Sequence, residues 1–389
     1  MKQERFKMTG PAAVILTALV MAFAGAARPA VAGNHKMSIS FSGYTNRTEN
    51  LTDFPVLLVL SNGVGGSSFN FGTYPFLSTN GYDLRIYTNE AGTGAGLNYE
   101  IERWDTNTAS YVWVQVPELL SNGTSVVWAK WGDAGNSSQL ACTTNGATWA
   151  TSFRGVWHLN ETMSDEATTR TNRDSTANLN HGAQGGNDDV AGTVAGGQDF
   201  DGANDGIDCG NSASLSISNN LTMEMWINPD TLSLWDYFCG RTGSGWDGWG
   251  FLIASGTSLR FIIDYYSYSD AYVQTSQFYT NQWQHFVGVY DGSASPRTLR
   301  LYRNGSQVAG ISNATQIDTP TSHLFLGNMG NSNSYNTDGK LDEIRVSNVA
   351  RSSNWVWACW LNMASNEVLN SYGSVAATES PDGLYFYLR

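Results

Sequence analysis

The chain has 389 residues, 41% of them hydrophobic and 12% aromatic, which is enough apolar surface for two domains with cores and excludes a disordered chain. Its formal charge is -13 with only 14% of residues charged, so nucleic acid and anionic membrane are disfavoured partners, while divalent cations and neutral substrates suit it. The four cysteines, Cys142, Cys209, Cys239 and Cys359, lack any Cys-x-x-Cys spacing, which argues against a zinc site. Their even number allows two disulfides in an oxidising compartment, with buried free thiols as the alternative.

Residues 1–32 read as a signal peptide. Lys2, Arg5 and Lys7 precede the apolar run Ala12–Ala24, and Ala30–Val31–Ala32 places small residues before Gly33. The run is short, is interrupted by Gly25 and is followed by Arg28–Pro29, so it is a poor spanning helix. A secreted or cell-surface location follows, with no transmembrane segment in the mature chain. Cleavage removes four cations and one acid, taking the charge from -13 to -16.

Residues 36–132 alternate in short runs separated by Gly, Asn and Ser, with no helical stripe. Strands are expected at Met37–Tyr44, Phe54–Leu60, Tyr82–Tyr87, Asn98–Trp104, Tyr111–Val116 and Ser125–Trp131, spaced as in a β-sandwich. Residues 133–152 are the expected connection, 153–372 a second domain and 373–389 a C-terminal tail. Strands of the second domain are expected at Leu221–Ile227, Phe251–Ile253, Leu259–Tyr265, Trp283–Tyr290, Thr298–Arg303, Gln307–Ala309, His323–Leu326 and Leu341–Val346. Asn304–Gly305 between two alternating runs predicts a type I′ hairpin. Ser352 or Ser353 is placed to cap a short helix through Trp355–Leu361. The chain is therefore expected to be all-β, with two sandwich domains.

The last strand, Leu341–Val346, contains a conflict. Strict alternation puts Asp342 on the face of Ile344 and Val346, and Glu343 and Arg345 on the other. A carboxylate on an apolar face needs a partner: a cation, Arg345 or His158, or backbone N–H groups at a turn.

The segments Leu51–Val56, Tyr82–Arg85, Tyr99–Trp104 and Val112–Pro117 make the first domain resemble a domain of unknown function that precedes lectin-like modules in exported bacterial proteins. The ordered series Val156–Leu159, Asp174–Thr176, Phe200–Gly202, Met225–Trp226, Trp283–His285, Val289–Asp291, Leu301–Gly305, Leu326–Gly327 and Gly339–Arg345 resembles a laminin G-like, concanavalin A-like jelly roll of the pentraxin-like kind. The resemblance implies a lectin-like domain that binds carbohydrate, and a calcium ion held by Asp174, Asp201 and Asp342, with Asp205 as a further ligand.

Two other clusters offer chemistry. Trp246, Trp249 and Tyr268 lie in turn-rich stretches where aromatic faces could meet a glycan, whereas Leu259, Phe261, Ile263 and Tyr265 share a face that is expected to be buried. Glu100 and Glu102 share one strand face, a pairing glycosidases use, although solvated charges paired with Arg103 explain them as well. His158, His181, His285 and His323 are too scattered for a metal triad, and His285 reads as a core-facing strand residue. The sequence thus points to a carbohydrate- or surface-ligand-binding protein stabilised by calcium. The alternatives are a glycoside hydrolase using Glu100 and Glu102, and a non-catalytic structural or adhesion protein.

Overall fold

The computed structural model describes residues 34–162, 168, 171–243, 247–264, 272–318, 321–330 and 335–377; the signal segment, Trp246, Tyr265 and Tyr268 lie outside them. Strands β1 (His35–Ser40), β2 (Leu51–Ser61), β3 (Arg85–Tyr87), β4 (Tyr99–Arg103), β5 (Ala109–Leu119) and β6 (Val126–Trp131) build the first sandwich, each at an expected position. One sheet orders β1-β6-β3 and the other β2-β5-β4. Inward residues such as Ile39, Phe54, Val56, Val114 and Trp131 are buried between them, as period-two alternation requires.

The second sandwich contains β7 (Phe153–Trp157), β8 (Thr171–Asn172), β9 (Gly182–Gly185), β10 (Asp188–Val190), β11 (Gly197–Asp201), β12 (Gly206–Asp208), β13 (Asn220–Pro229) and β14 (Tyr237–Thr242). It continues with β15 (Gly248–Ser255), β16 (Ser258–Ile263), β17 (Tyr272–Thr275), β18 (Gln284–Asp291), β19 (Thr298–Arg303), β20 (Ser306–Ser312), β21 (Phe325–Leu326) and β22 (Asp338–Ser347). One sheet runs β10-β11-β22-β13-β18-β19-β20 with β7 also on β22, and the other runs β17-β16-β15-β14-β21-β12-β9-β8. The hairpin at Asn304–Gly305 has φ of 47° and 75°, both left-handed as a type I′ turn demands. Trp157, Met223, Met225, Phe261, Phe286, Leu341 and Ile344 fill the core between the two sheets.

After β22 the chain forms α1 (Ser353–Ala364) and α2 (Asn366–Leu369), then β23 (Ser371–Tyr372) and β24 (Ala376–Ala377). Of the two expected caps, Ser352 is the one used: its side chain accepts from the Trp355 backbone N–H. Residues 371–377, which include the start of the expected tail, are tied down, while 378–389 lie outside the described residues. β23 and β24 pair with β1, so the C-terminal strands complete a sheet of the first domain.

The helices close an exposed edge. Strand β2 pairs with β5 on one side only, leaving backbone groups that would invite another strand. Asn362, Asn366 and Asn370, spaced four apart, reach them. Leu57 N–H donates to Asn362 Oδ1, the Asn362 amide donates to Pro55 O, and the Asn366 and Asn370 amides both donate to Leu57 O.

A single apolar cluster runs through this junction. It joins Phe54, Trp113 and Leu119 of the first domain to Phe153, Val156 and Trp226 on the outer face of the second, and to Trp355, Cys359 and Leu361 of α1. The outer face of the β22-β13-β18 sheet is therefore covered by protein, not solvent. None of the four cysteines forms a disulfide; Cys209, Cys239 and Cys359 are buried thiols, which is the alternative the sequence left open.

Candidate functional site

Beneath the first domain, the covered sheet face carries charge. A β-bulge puts it there: on β13 Glu224 and Trp226 are two positions apart, while their partners on β22, Arg345 and Asp342, are three apart. The extra residue is accommodated at Glu343, whose φ is +51°. The bulge resets alternation, so Leu341, Ile344 and Val346 all enter the sandwich core, and Asp342, Glu343 and Arg345 all leave on the other face. The strict alternation expected from the sequence fails at this one residue.

Asp342 is buried and its Oδ2 accepts the backbone N–H groups of Thr193 and Val194 at 2.6 and 2.9 Å. Of the partners considered for it, the turn N–H groups are the ones present; His158 and Arg345 belong to Glu343 instead. His158 Nδ1 lies 2.5 Å from Glu343 Oε1, and Arg345 Nε donates to Glu343 Oε2 at 3.1 Å. Arg345 Nη1 lies 3.1 Å from Glu224 Oε1, and its guanidinium sits 4.3 Å over the Trp113 ring.

The first domain contributes Glu100 and Glu102 to the same space. Glu100 accepts from Trp149 Nε1 and Ser175 Oγ, each at 2.7 Å, and Glu102 accepts from Trp113 Nε1 at 2.7 Å. His158 lies between them, Nε2 3.7 Å from Glu100 and Nδ1 3.7 Å from Glu102, with its ring stacked on Trp113. Trp149 reaches Glu100 because the connection packs closely: a Cβ at Gly146, where φ is +80°, would meet Ala177 N at 2.2 Å.

Both carboxylates share a strand face as the sequence indicated. They are neither solvated nor paired with Arg103, whose guanidinium donates to Ala195 O and lies over Tyr111. The side chains of Glu100 and Glu102 are 7% and 0% exposed, which keeps a polysaccharide from reaching them.

The electrostatics follow from burial. Five carboxyls, Glu100, Glu102, Glu224, Asp342 and Glu343, face the buried cations His158 and Arg345, with Arg173 4.0 Å from Glu100 at the edge and the Arg351 charge acting on Glu224. Burial pushes Glu102 up to about 8, against the opposing charge of His158 and with Glu343 and Glu100 adding to the rise. Burial and then the Glu343 charge raise Asp342 well above the carboxylate range. Glu343 and Glu100 go the other way: desolvation is the largest single influence and would raise both, but His158 together with Arg345 at Glu343, and His158 together with the indole and hydroxyl donors at Glu100, hold them below the usual value. Burial would lower His158, yet the Glu343 and Glu102 charges hold it well above its usual value. His285, buried beside Glu224, is pushed down to about 3 by desolvation and then by the Arg345 charge. It is buried as expected, but on the outer sheet face, since its neighbour Phe286 takes the core position.

The four aspartates expected at calcium are not gathered. Asp174 spends both oxygens on Val156 N, Thr176 N, Thr176 Oγ1 and Asn180 N. Asp201 caps its own turn by accepting from Ala203 N, and Asp205 accepts from Asp201 N. Among the described residues, the group of three such side chains close enough to share an ion is Glu102, His158 and Glu343, whose donor atoms lie within 4.8 Å of one another. As a four-residue cage, Asp174, Asp201, Asp205 and Asp342 therefore do not fit calcium.

The aromatic expectation also changes. Trp249 lies on β15 and is fully buried in the sandwich core, so it presents no face to a ligand; Leu259, Phe261 and Ile263 are buried as expected. A solvent-open cleft lies elsewhere on the second domain. It measures about 270 Å³ and is lined by Arg154, Ser214, Ser216, Ser218, Asn219 and Asn348, among others.

Residues 201–356 match the family model of the concanavalin A-like lectin/glucanases superfamily. This part of the chain has a concanavalin A-like fold. Residues 80–153 before it match a domain of unknown function, DUF2341. Similar solved structures include domain 4 of AbnA, a GH43 extracellular arabinanase from Geobacillus stearothermophilus, in complex with arabinotriose. It is 18% identical with a TM-score of 0.41, over 53% of this chain and 96% of that one. The binding domain of Paraclostridial Mosquitocidal Protein 1 is 17% identical with a TM-score of 0.41, over 54% of this chain and 52% of that one. The chain thus spans about half the length of that toxin domain. No curated protein matches the chain significantly. Among the described residues, no helix is long and apolar enough to cross a membrane.

Proposed function

We propose that the chain is an exported binding protein whose concanavalin A-like domain holds a carbohydrate or another surface ligand without acting on it. The observation that carries this reading is the open cleft between Arg154, Ser214, Ser216, Ser218, Asn219 and Asn348. Its serines and asparagines, together with Arg154, offer amide, hydroxyl and guanidinium groups beside Ala213 and Ile217, which suits a hydroxyl-rich ligand, and its size admits a single sugar unit of a longer chain. A glycosidase needs two carboxyls open to substrate and water, whereas Glu100 and Glu102 are sealed beneath Trp113, Trp149 and His158.

A glycan array probed with the wild type and with Asn219→Ala tests the proposal. Binding to a defined sugar class that the variant loses supports it, and silence on every sugar leaves the structural or adhesion role. Reducing-sugar release that disappears in Glu102→Gln would restore the hydrolase reading. Calcium, implied by the family resemblance, is proposed only at the Asp201–Asp205 turn, the part of the expected set held within one loop. Chelator-treated protein titrated with calcium should then unfold at a higher temperature, and an unmoved midpoint removes the ion.

A further inference from the structure

We propose that Glu102, His158 and Glu343 form a buried divalent transition-metal site that fastens the first domain to the concanavalin A-like domain. The three side chains come from three separate elements: β4 of the first domain, the turn after β7, and the bulge of β22. Their donor atoms lie within 4.8 Å of one another, and His158 Nδ1 stands 3.7 Å from Glu102 and 2.5 Å from Glu343. Two ligands each about 2.1 Å from one ion lie up to about 4.2 Å apart, so the first spacing already fits a shared ion. The second would open by roughly an ångström as the ion replaced the proton between nitrogen and oxygen.

Two independent features point to a ligand. Glu102 Oε1 has no hydrogen-bond partner, although its side chain is 0% exposed, while His158 turns Nδ1 towards Glu102 and Glu343 and Nε2 towards Glu100. An unmet acceptor at that depth is costly, and an ion satisfies it. The second feature is charge. Around the three ligands themselves, Glu102 and Glu343 with the nearby Asp342 face His158 and Arg345, and a divalent ion would take the place of the protons that otherwise balance them. One imidazole with two carboxylates is the donor set of Zn²⁺ or Mn²⁺ rather than of Ca²⁺, which takes oxygen alone. The indole N–H groups of Trp113 and Trp149 hold the neighbouring carboxylates in place, as outer partners do around metal ligands. With no open route for substrate, the ion would act on stability: it binds only when both domains are docked.

The test is metal content and thermal unfolding of the full chain produced in medium supplied with Zn²⁺ or Mn²⁺. The expected result is one equivalent per chain that survives dialysis against a chelator, absent from His158→Gln and from Glu102→Gln. Wild type should unfold about 5 °C or more above protein produced without the metal, a difference the variants lose. An equivalent that persists in His158→Gln lies elsewhere and overturns the proposal. No retained metal with an unchanged midpoint also overturns it, and means that protons supply the missing charge. Should either variant fail to fold, wild type produced with Co²⁺ gives an independent reading. Visible absorption from nitrogen and oxygen ligation is expected, and a spectrum without such bands refutes the site.

Discussion

Asp342 and Glu343 are consecutive on one strand, yet both carboxylates leave it on the same face, because the bulge at Glu343 with φ +51° cancels one step of alternation. That one residue carries charge out of the sandwich core and into the junction. There Asp342 fastens the Thr193–Val194 turn, while Glu343 joins His158 to Arg345.

Arg345 faces both Glu343 and Glu224, so removing it takes the ion-pair partner from buried Glu224, leaves Glu343 to His158 alone and uncovers Trp113. Arg345→Met should cost about 3–5 kcal/mol, read from the chemical-denaturation midpoint at constant slope. Arg345→Met combined with Glu343→Gln should recover a substantial part of the loss, since fewer charges remain uncompensated.

His285 gives an acid-sensitivity prediction. Its folded pKa of about 3 lies below the unfolded value near 6.5, so the unfolded chain takes up the proton first as pH falls. Its contribution is intact above about pH 6.5 and is lost progressively towards pH 3. Between pH 7 and 5 wild type should lose about 1–2 kcal/mol more stability than His285→Gln. Parallel pH profiles for the two proteins would refute this assignment.

Asn362 bonds both Leu57 N–H and Pro55 O on the otherwise open side of β2. Asn362→Leu leaves both buried groups unmet and should cost about 2–4 kcal/mol. Hydrogen exchange at the Leu57 amide should rise more than at amides of the β13–β18 pairing, which would separate loss of the edge cap from general destabilisation.

Trp249 tests the corrected aromatic reading. Its ring is fully buried, so Trp249→Ala should lower stability by about 3–5 kcal/mol, while Trp249→Phe should fold with glycan-array signals unchanged. A selective loss of ligand binding in a stable Trp249→Phe protein would place the ring at a binding face after all.

The sequence by itself determined the fold class and the strands of the first domain, whereas β7–β12, β14 and β17 of the second were not read from it. Alternation and Asn-Gly signals are local, and they fixed all six strands of the first domain, the turn at Asn304–Gly305 and the capped helix after Ser352. It also marked Glu100, Glu102, His158 and Asp342 as residues in need of explanation. Only the tertiary structure decided what satisfies them. Glu102, His158 and Glu343 stand far apart in the chain, and no local pattern reports that the first domain lies against the outer face of the second domain's sheet. The bulge at Glu343 was equally hidden, because a one-residue register shift is set by the partner strand rather than by the residue's own neighbours. The return of residues 371–377 to β1 escaped the sequence for the same reason: strand pairing across the full length of the chain is a property of the folded surface, where β1 offered an unpaired edge.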